Sequence, residues 1–74
     1  MRIIIQNGRV SIDEFNYLIE VNRKVVFAKH ESGHVIFLGK YSTEQRAKEA
    51  FDELHAAYEE LPFSGNTVFR MPKE

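Results

Sequence analysis

The spacing of apolar residues changes at Ser42, and this change constrains the fold more than any other feature of the sequence. Before Ser42, apolar and polar residues alternate in short runs, which indicates half-buried β-strands. After Ser42, apolar residues recur at every third or fourth position until Leu61, which is the period of an amphipathic helix. The sequence therefore predicts an α+β fold in which one helix packs on a sheet.

The predicted helix covers about residues 43–61. Ser42 and Gln45 fit a capping box, in which the serine hydroxyl accepts a hydrogen bond from the backbone N–H of Gln45. Pro62 ends the helix, because the residue before a proline is disfavoured in the helical conformation. The apolar stripe expected to face the sheet consists of Ala47, Ala50, Phe51, Leu54, Ala57, Tyr58 and Leu61.

Turn residues divide the rest of the chain into short strands. Asn7-Gly8 predicts a type I′ turn between strands at 2–6 and 9–12, because both residues tolerate a positive φ. Further strands are predicted at 15–21, 24–30 and 35–38, and a short C-terminal strand at 67–71. We therefore expect an antiparallel sheet of four to six strands with the helix on one face.

The registers of the central strands predict which residues share a face. With Asn22-Arg23 and Ser32-Gly33 as two-residue loops, Val35 and Phe37 belong to the almost wholly apolar face that takes the helix. A slip of one residue in either loop would move residues to the opposite face. The other face then has an apolar centre and a charged rim, which supply the interface candidates Leu18, Phe27, Ile36, Leu38, Lys29 and Lys40.

An apolar patch with a polar rim is typical of a contact surface. Three occupants are open at this point: the N-terminal hairpin or the final strand, a second copy of the chain, or another protein. With 74 residues the chain hides only about 60% of its unfolded surface, so its own core is small. We expect a homodimer through this face, and a host protein is a possible partner.

Composition narrows the function classes. The chain is 43% hydrophobic and 28% charged, as in an ordinary globular domain, and we expect one domain over residues 1–74. It contains no cysteine and no apolar run of the roughly 18 residues that a membrane helix needs, so we expect a cytoplasmic protein without a membrane partner. A net charge of −1 argues against nucleic acid, although basic strand residues near Phe27 keep it as a weaker alternative.

No motif predicts catalysis. Neighbouring carboxylates in the sequence point in different directions, and the four glycines form no phosphate-binding loop. The histidines, His30, His34 and His55, lack a further ligand in a metal-site pattern. We therefore predict no catalytic residue, no cofactor and no metal, and a protein that is not an enzyme.

Residues 38–49 read Leu-Gly-Lys-Tyr-Ser-Thr-Glu-Gln-Arg-Ala-Lys-Glu and follow a Gln6-Asn7-Gly8 turn, with Met71-Pro72 near the end. This pattern spans nearly the whole chain and resembles small uncharacterised proteins of phages and prophages in Gram-positive bacteria. The chain departs from it at Phe51, where such proteins commonly carry an aliphatic residue. That family has no assigned activity, so the resemblance implies a mobile-element context and nothing catalytic.

The sequence thus favours a non-catalytic binding or assembly module that self-associates through the face containing Leu18, Phe27 and Leu38. The alternative is a modulator encoded by a phage or mobile element that binds a host protein or a nucleic-acid complex.

Overall fold

The computed structural model describes residues 2–13, 17–59 and 68–74, and within them it has six strands and one helix. The α+β class and the short C-terminal strand are confirmed. The predicted ends at Phe15, Leu61 and Thr67 lie outside the described residues. The elements are β1 Arg2–Ile4, β2 Ser11–Asp13, β3 Tyr17–Asn22, β4 Val25–His30, β5 Val35–Lys40, α1 Glu44–Glu59 and β6 Val68–Arg70.

The strands form two three-stranded sheets, in the orders β2-β1-β6 and β3-β4-β5. β1 pairs antiparallel with β2 but parallel with β6. The prediction of one wholly antiparallel sheet is therefore wrong on both points. The two sheets are joined just after β1 ends, where the chain bonds to β5.

Gln6 makes the connection between the sheets. Its backbone N–H donates to the carbonyl of Leu38 at 2.8 Å. Its side-chain amide donates to the carbonyl of Lys40 at 2.9 Å and accepts from the N–H of Lys40 at 2.8 Å. The same amide nitrogen donates to the carbonyl of Lys73 at 2.8 Å. One polar side chain thus joins the end of the first hairpin, the last strand of the second sheet and the C-terminal residues.

The first hairpin is confirmed, but its turn is not of type I′. The loop is closed by hydrogen bonds from the N–H of Ile5 to the carbonyl of Val10 and from the N–H of Gly8 to the carbonyl of Ile5. Gly8 has φ 74°, whereas Asn7 does not have a positive φ. Asn7 instead accepts a hydrogen bond from the N–H of Arg9 through its side-chain oxygen at 2.7 Å, as in an Asx-turn.

The helix is capped one residue later than predicted. The side-chain oxygen of Thr43 accepts a hydrogen bond from the N–H of Arg46 at 3.0 Å, which makes Thr43 the N-cap. The predicted cap, Ser42, is engaged elsewhere: its N–H and its hydroxyl both donate to the carboxylate of Glu74.

The core lies between the two sheets and the helix. The small side chains of Ala47 and Ala50 are fully buried, so the helix backbone approaches the strands closely. Tyr58 is 52% exposed, so the buried stripe ends earlier than predicted. The buried residues form one cluster with members from both sheets and the helix: Ile3, Ile12, Val26, Ala28, Leu38, Tyr41, Ala47, Ala50, Leu54 and Met71.

The β3–β4 register differs from the prediction by two residues. Val21 pairs with Val26, so the loop consists of Arg23 and Lys24 instead of Asn22 and Arg23. Side chains alternate between faces with a period of two, and a shift of two residues therefore leaves every side chain on its predicted face.

The β4–β5 register differs by one residue next to the loop, and here the faces change. The N–H of His30 donates to the carbonyl of His34 at 2.7 Å, so three residues form the loop, the last being Gly33 with φ 96°. Phe27 consequently pairs with Phe37. The predicted placement of Phe37 against the helix, which assumed a two-residue loop, is wrong.

A β-bulge corrects this shift farther along β5. The register changes between Val26 and Phe27, so that Val26 pairs with Gly39 and Leu38 is the extra residue. Leu38 and Gly39 are both buried although they are adjacent in sequence. Beyond the bulge Val25 pairs with Lys40, which is the register that the sequence predicted.

Candidate interaction surface

The face of β3-β4-β5 that points away from the helix is the main candidate site, and we call it the open face. The strand pairings place its residues in three rows across the sheet. The middle row contains Phe27 and Phe37 beside Glu20. The rows together consist of Leu18, Lys29 and Val35, then Glu20, Phe27 and Phe37, and finally Asn22, Val25 and Lys40.

The open face carries large apolar side chains that water reaches. Phe37 is 68% exposed, Leu18 is 63% exposed and Val35 is 45% exposed. Phe27 is half-buried between its neighbours. Within the described residues, three of the six large apolar side chains with the greatest exposure therefore lie on this one face. Single exposed apolar residues are common, whereas a contiguous group is typical of a contact surface.

The structure brings together four of the six residues predicted from sequence. Leu18, Phe27, Lys29 and Lys40 share the open face. Leu38 does not, because it is 1% exposed and belongs to the core.

Ile36 does not lie there either, because it pairs with Ala28 and packs against the core from the helix side. The predicted placement of Leu38 and Ile36 on the open face is therefore wrong, because the register of β5 differs by one residue from the predicted one.

Phe37 and Val35 are the residues that sequence reasoning missed. The signal that could have found them is the length of the β4–β5 loop. Hairpin loops of three residues commonly end with a glycine in the left-handed region, and Glu31-Ser32-Gly33 fits that pattern. His30 supports this loop, because its ring nitrogen accepts a hydrogen bond from the N–H of Ser32 at 3.1 Å and bonds the Ser32 hydroxyl at 2.9 Å.

The terminal strands do not cover the open face. Ile3 and Ile12 of the first hairpin, and Met71 after β6, belong to the core cluster on the helix side. Within the described residues, these segments leave Leu18 and Phe37 open to solvent. The sequence left three possible occupants of this face open. In the described part of the chain, the first of them, the hairpin or the final strand, does not occupy it.

Two shallow hollows lie at opposite ends of the open face. The first has a volume of about 530 Å³ and is bounded by apolar side chains and by the charged β3–β4 loop: Asn22, Arg23, Lys24, Val25, Phe27, Phe37 and Glu44. The second has a volume of about 460 Å³ and lies at the β4–β5 loop, lined by Tyr17, Leu18, Lys29, His30, Glu31 and Gly33.

The resolved pKa shifts lie away from the open face, beside the C-terminal residues. The Tyr41 hydroxyl donates to the carbonyl of Pro72 at 2.8 Å, and burial raises the pKa of this phenol. Hydrogen bonds from Ser42 lower the pKa of the Glu74 carboxyl. Arg46 bonds Glu49 and Glu53 at 3.3 Å on the exposed surface of the helix. The contacts of Tyr41 and Ser42 fasten the C-terminal residues to the segment just before the helix, whereas those of Arg46 lie within the helix.

Within residues 2–13, 17–59 and 68–74, no group of three or more histidine, aspartate and glutamate side chains is arranged to hold a metal ion. Apart from Tyr41 with its hydroxyl group, no polar or charged side chain of this part of the chain is buried. The open face combines exposed apolar side chains with Glu20, Lys29 and Lys40, an arrangement suited to apolar contact and to ion pairing.

No protein-family model, curated protein or solved structure matches this chain. Among the described residues, no helix combines the length and the apolar character that a membrane span requires.

Proposed function

We propose that this protein is a non-catalytic assembly module that forms a homodimer through the open face. The observation that carries the proposal is the group of exposed side chains Leu18, Val35 and Phe37 around the half-buried Phe27. Transfer of such side chains from water into a contact is favourable by about 25 cal/mol per Å² of apolar area.

The charges favour a second copy as the occupant. The open face carries both signs, with Glu20 on β3 and Lys29 and Lys40 on the other strands. The whole chain has a net charge of −1, so two copies repel each other little. A strongly acidic or strongly basic partner would leave either the glutamate or the lysines of the open face without an oppositely charged group.

The dimer is expected to be weak, because the face is small. Three strands about 4.8 Å apart, each about 20 Å long, give a face of roughly 300 Å², so two copies would bury about 600 Å². Stable interfaces usually bury about 1,200–2,000 Å². We therefore expect a dissociation constant of roughly 100 µM, which corresponds to about 5.5 kcal/mol of net association free energy.

Phe37→Asp is expected to abolish dimerisation. The carboxylate would have to lose its hydration shell in the contact, whereas in the monomer it would remain in water, since Phe37 is 68% exposed. Sedimentation equilibrium over a concentration series up to about ten times the expected dissociation constant measures this. The wild type should move from 8.6 kDa towards twice that mass, and the variant should stay at 8.6 kDa.

Tyr58→Asp is the matched control, since Tyr58 is an exposed aromatic residue on the helix, away from the open face. It should dimerise like the wild type. Urea unfolding of the Phe37→Asp monomer should give nearly the wild-type stability, which separates loss of contact from loss of fold. A wild type that stays at 8.6 kDa throughout the series would overturn the proposal.

The second candidate function is binding of single-stranded nucleic acid by the open face. It is favoured by the position of Lys29 and Lys40 on the same face as Phe27 and Phe37, since aromatic stacking and phosphate contacts are combined in such sites. A fluorescently labelled oligonucleotide should then bind, and its affinity should fall steeply as salt rises. Binding that does not respond to salt, or no binding at low salt, would contradict this function.

A further inference from the structure

The two ends of the open face differ in charge. The end at the β3–β4 loop has the cationic side chains of Arg23 and Lys24 in its hollow, and Lys40 pairs with Val25 there. Glu44 is the acidic residue that lines the same hollow. At the opposite end Glu31 lines the second hollow together with Lys29. The first end is therefore cationic overall, and the second is close to neutral with its carboxylate in the loop.

A homodimer with two sheets face to face can place its twofold axis along the strands or across them. An axis along the strands sets each end against the same end of the second copy. The Arg23-Lys24 loop would then meet another Arg23-Lys24 loop. Lys29, which lies on the central strand, would also meet its own counterpart at the other end of the contact. Like charges opposed in this way are destabilising.

An axis across the strands reverses the second copy. Phe27 and Phe37 lie midway along the face, so each stacks on its own counterpart, whereas an axis along the strands would set Phe37 against Glu20. Each Arg23-Lys24 loop now lies over the Glu31 end of the second copy, so each cationic end meets an end that is close to neutral and contains a carboxylate. Lys29 lies over Val25 of the second copy and no longer meets its own counterpart. Glu20 also meets its counterpart, but on the outer strand β3, where water and salt screen the repulsion.

We propose that the two copies pack with antiparallel strands, so that Lys24 of each copy forms an ion pair with Glu31 of the other. This inference rests on the proposed homodimer and goes beyond it by fixing its orientation. Because the twofold axis generates both contacts, each substitution at these positions acts twice in a homodimer.

Two charge reversals test the orientation. Lys24→Glu alone places two carboxylates opposite each other at both contacts, and Glu31→Lys alone places two ammonium groups there. Each variant alone is expected to dimerise about tenfold more weakly than the wild type. An equimolar mixture of the two variants restores both pairs in the mixed dimer, so its mass at the same total concentration should rise clearly above that of either variant alone, towards that of the wild type.

Lys48→Glu mixed with Glu59→Lys is the matched control. Both residues are exposed on the helix, so neither variant should change the dissociation constant alone or in the mixture. All species are measured by sedimentation equilibrium at low salt and again at high salt, where the differences should shrink.

Each outcome decides a different point. Weak single variants with a restored mixture support the antiparallel orientation. If the wild type dimerises but the mixture of the two variants dimerises no better than each variant alone, the antiparallel orientation is wrong and the homodimer still stands. A wild type that is monomeric throughout overturns the homodimer itself.

Discussion

Leu38→Ala is expected to lower the free energy of unfolding by about 3 kcal/mol, as is typical when a buried leucine is truncated. Leu38 is 1% exposed and lies in the cluster shared by the two sheets and the helix. The substitution would remove three carbon atoms and leave a cavity that the neighbouring strands cannot close fully. Urea unfolding monitored by circular dichroism, at a concentration well below the dissociation constant of any dimer, measures the change.

Phe37→Ala is the companion variant, because it changes the adjacent residue on the opposite side of the strand. Phe37 is 68% exposed, so its loss in the monomer should cost less than about 1 kcal/mol. With the predicted two-residue loop, Phe37 would be buried and its truncation would cost more stability than that of Leu38. Equal losses of unfolding free energy for the two variants, or a larger loss for Phe37→Ala, would show that the bulge in β5 is wrong.

Gly39→Ala is expected to lower the free energy of unfolding by about 2–3 kcal/mol, in the range for overpacked interiors. A methyl group on Gly39 would lie 2.6 Å from the Tyr41 hydroxyl oxygen and 2.9 Å from two carbons of its ring. The ring is 2% exposed and its hydroxyl bonds the Pro72 carbonyl, so it cannot move without losing that bond and its packing.

The same alanine in a Tyr41→Leu background tests the cause. Leucine is shorter than tyrosine, so the added methyl group no longer clashes with the hydroxyl and ring atoms. The loss of unfolding free energy caused by Gly39→Ala should then fall below about 1 kcal/mol. A double-mutant cycle of unfolding free energies therefore should give a coupling of roughly 1–2 kcal/mol between positions 39 and 41. Independent, additive effects would contradict the close contact of Gly39 with the tyrosine ring.

The elements could be predicted from sequence because local rules determine them. The helix was predicted at 43–61 and its described part is Glu44–Glu59, since the period of the apolar residues and the capping residues act within one turn of each other. The division into two sheets could not be predicted in this way. It depends on the pairing of β1 with β6 and on the hydrogen bonds of Gln6, which join residues far apart in the sequence.

The candidate site was predicted in part. A register error of two residues leaves side chains on the predicted face, whereas an error of one residue moves them to the other face. The two-residue error between β3 and β4 left Leu18 and Phe27 on the open face. The one-residue error next to Gly33 exchanged Phe37 for Leu38. Several loop lengths are compatible with the glycine, and tertiary packing around the bulge selects one of them.

The parallel pairing of β1 with β6 has a consequence for the order of folding. Arg2 pairs with Val68, 66 positions later, whereas the strands β3, β4 and β5 are joined by loops of two and three residues. Bringing distant segments together costs more chain entropy than closing a short hairpin, and contacts of long sequence separation slow folding. The three-stranded meander is therefore the part that can form first. In the other sheet, by contrast, β1 cannot gain its parallel partner until residues 68–70 have left the exit tunnel of the ribosome.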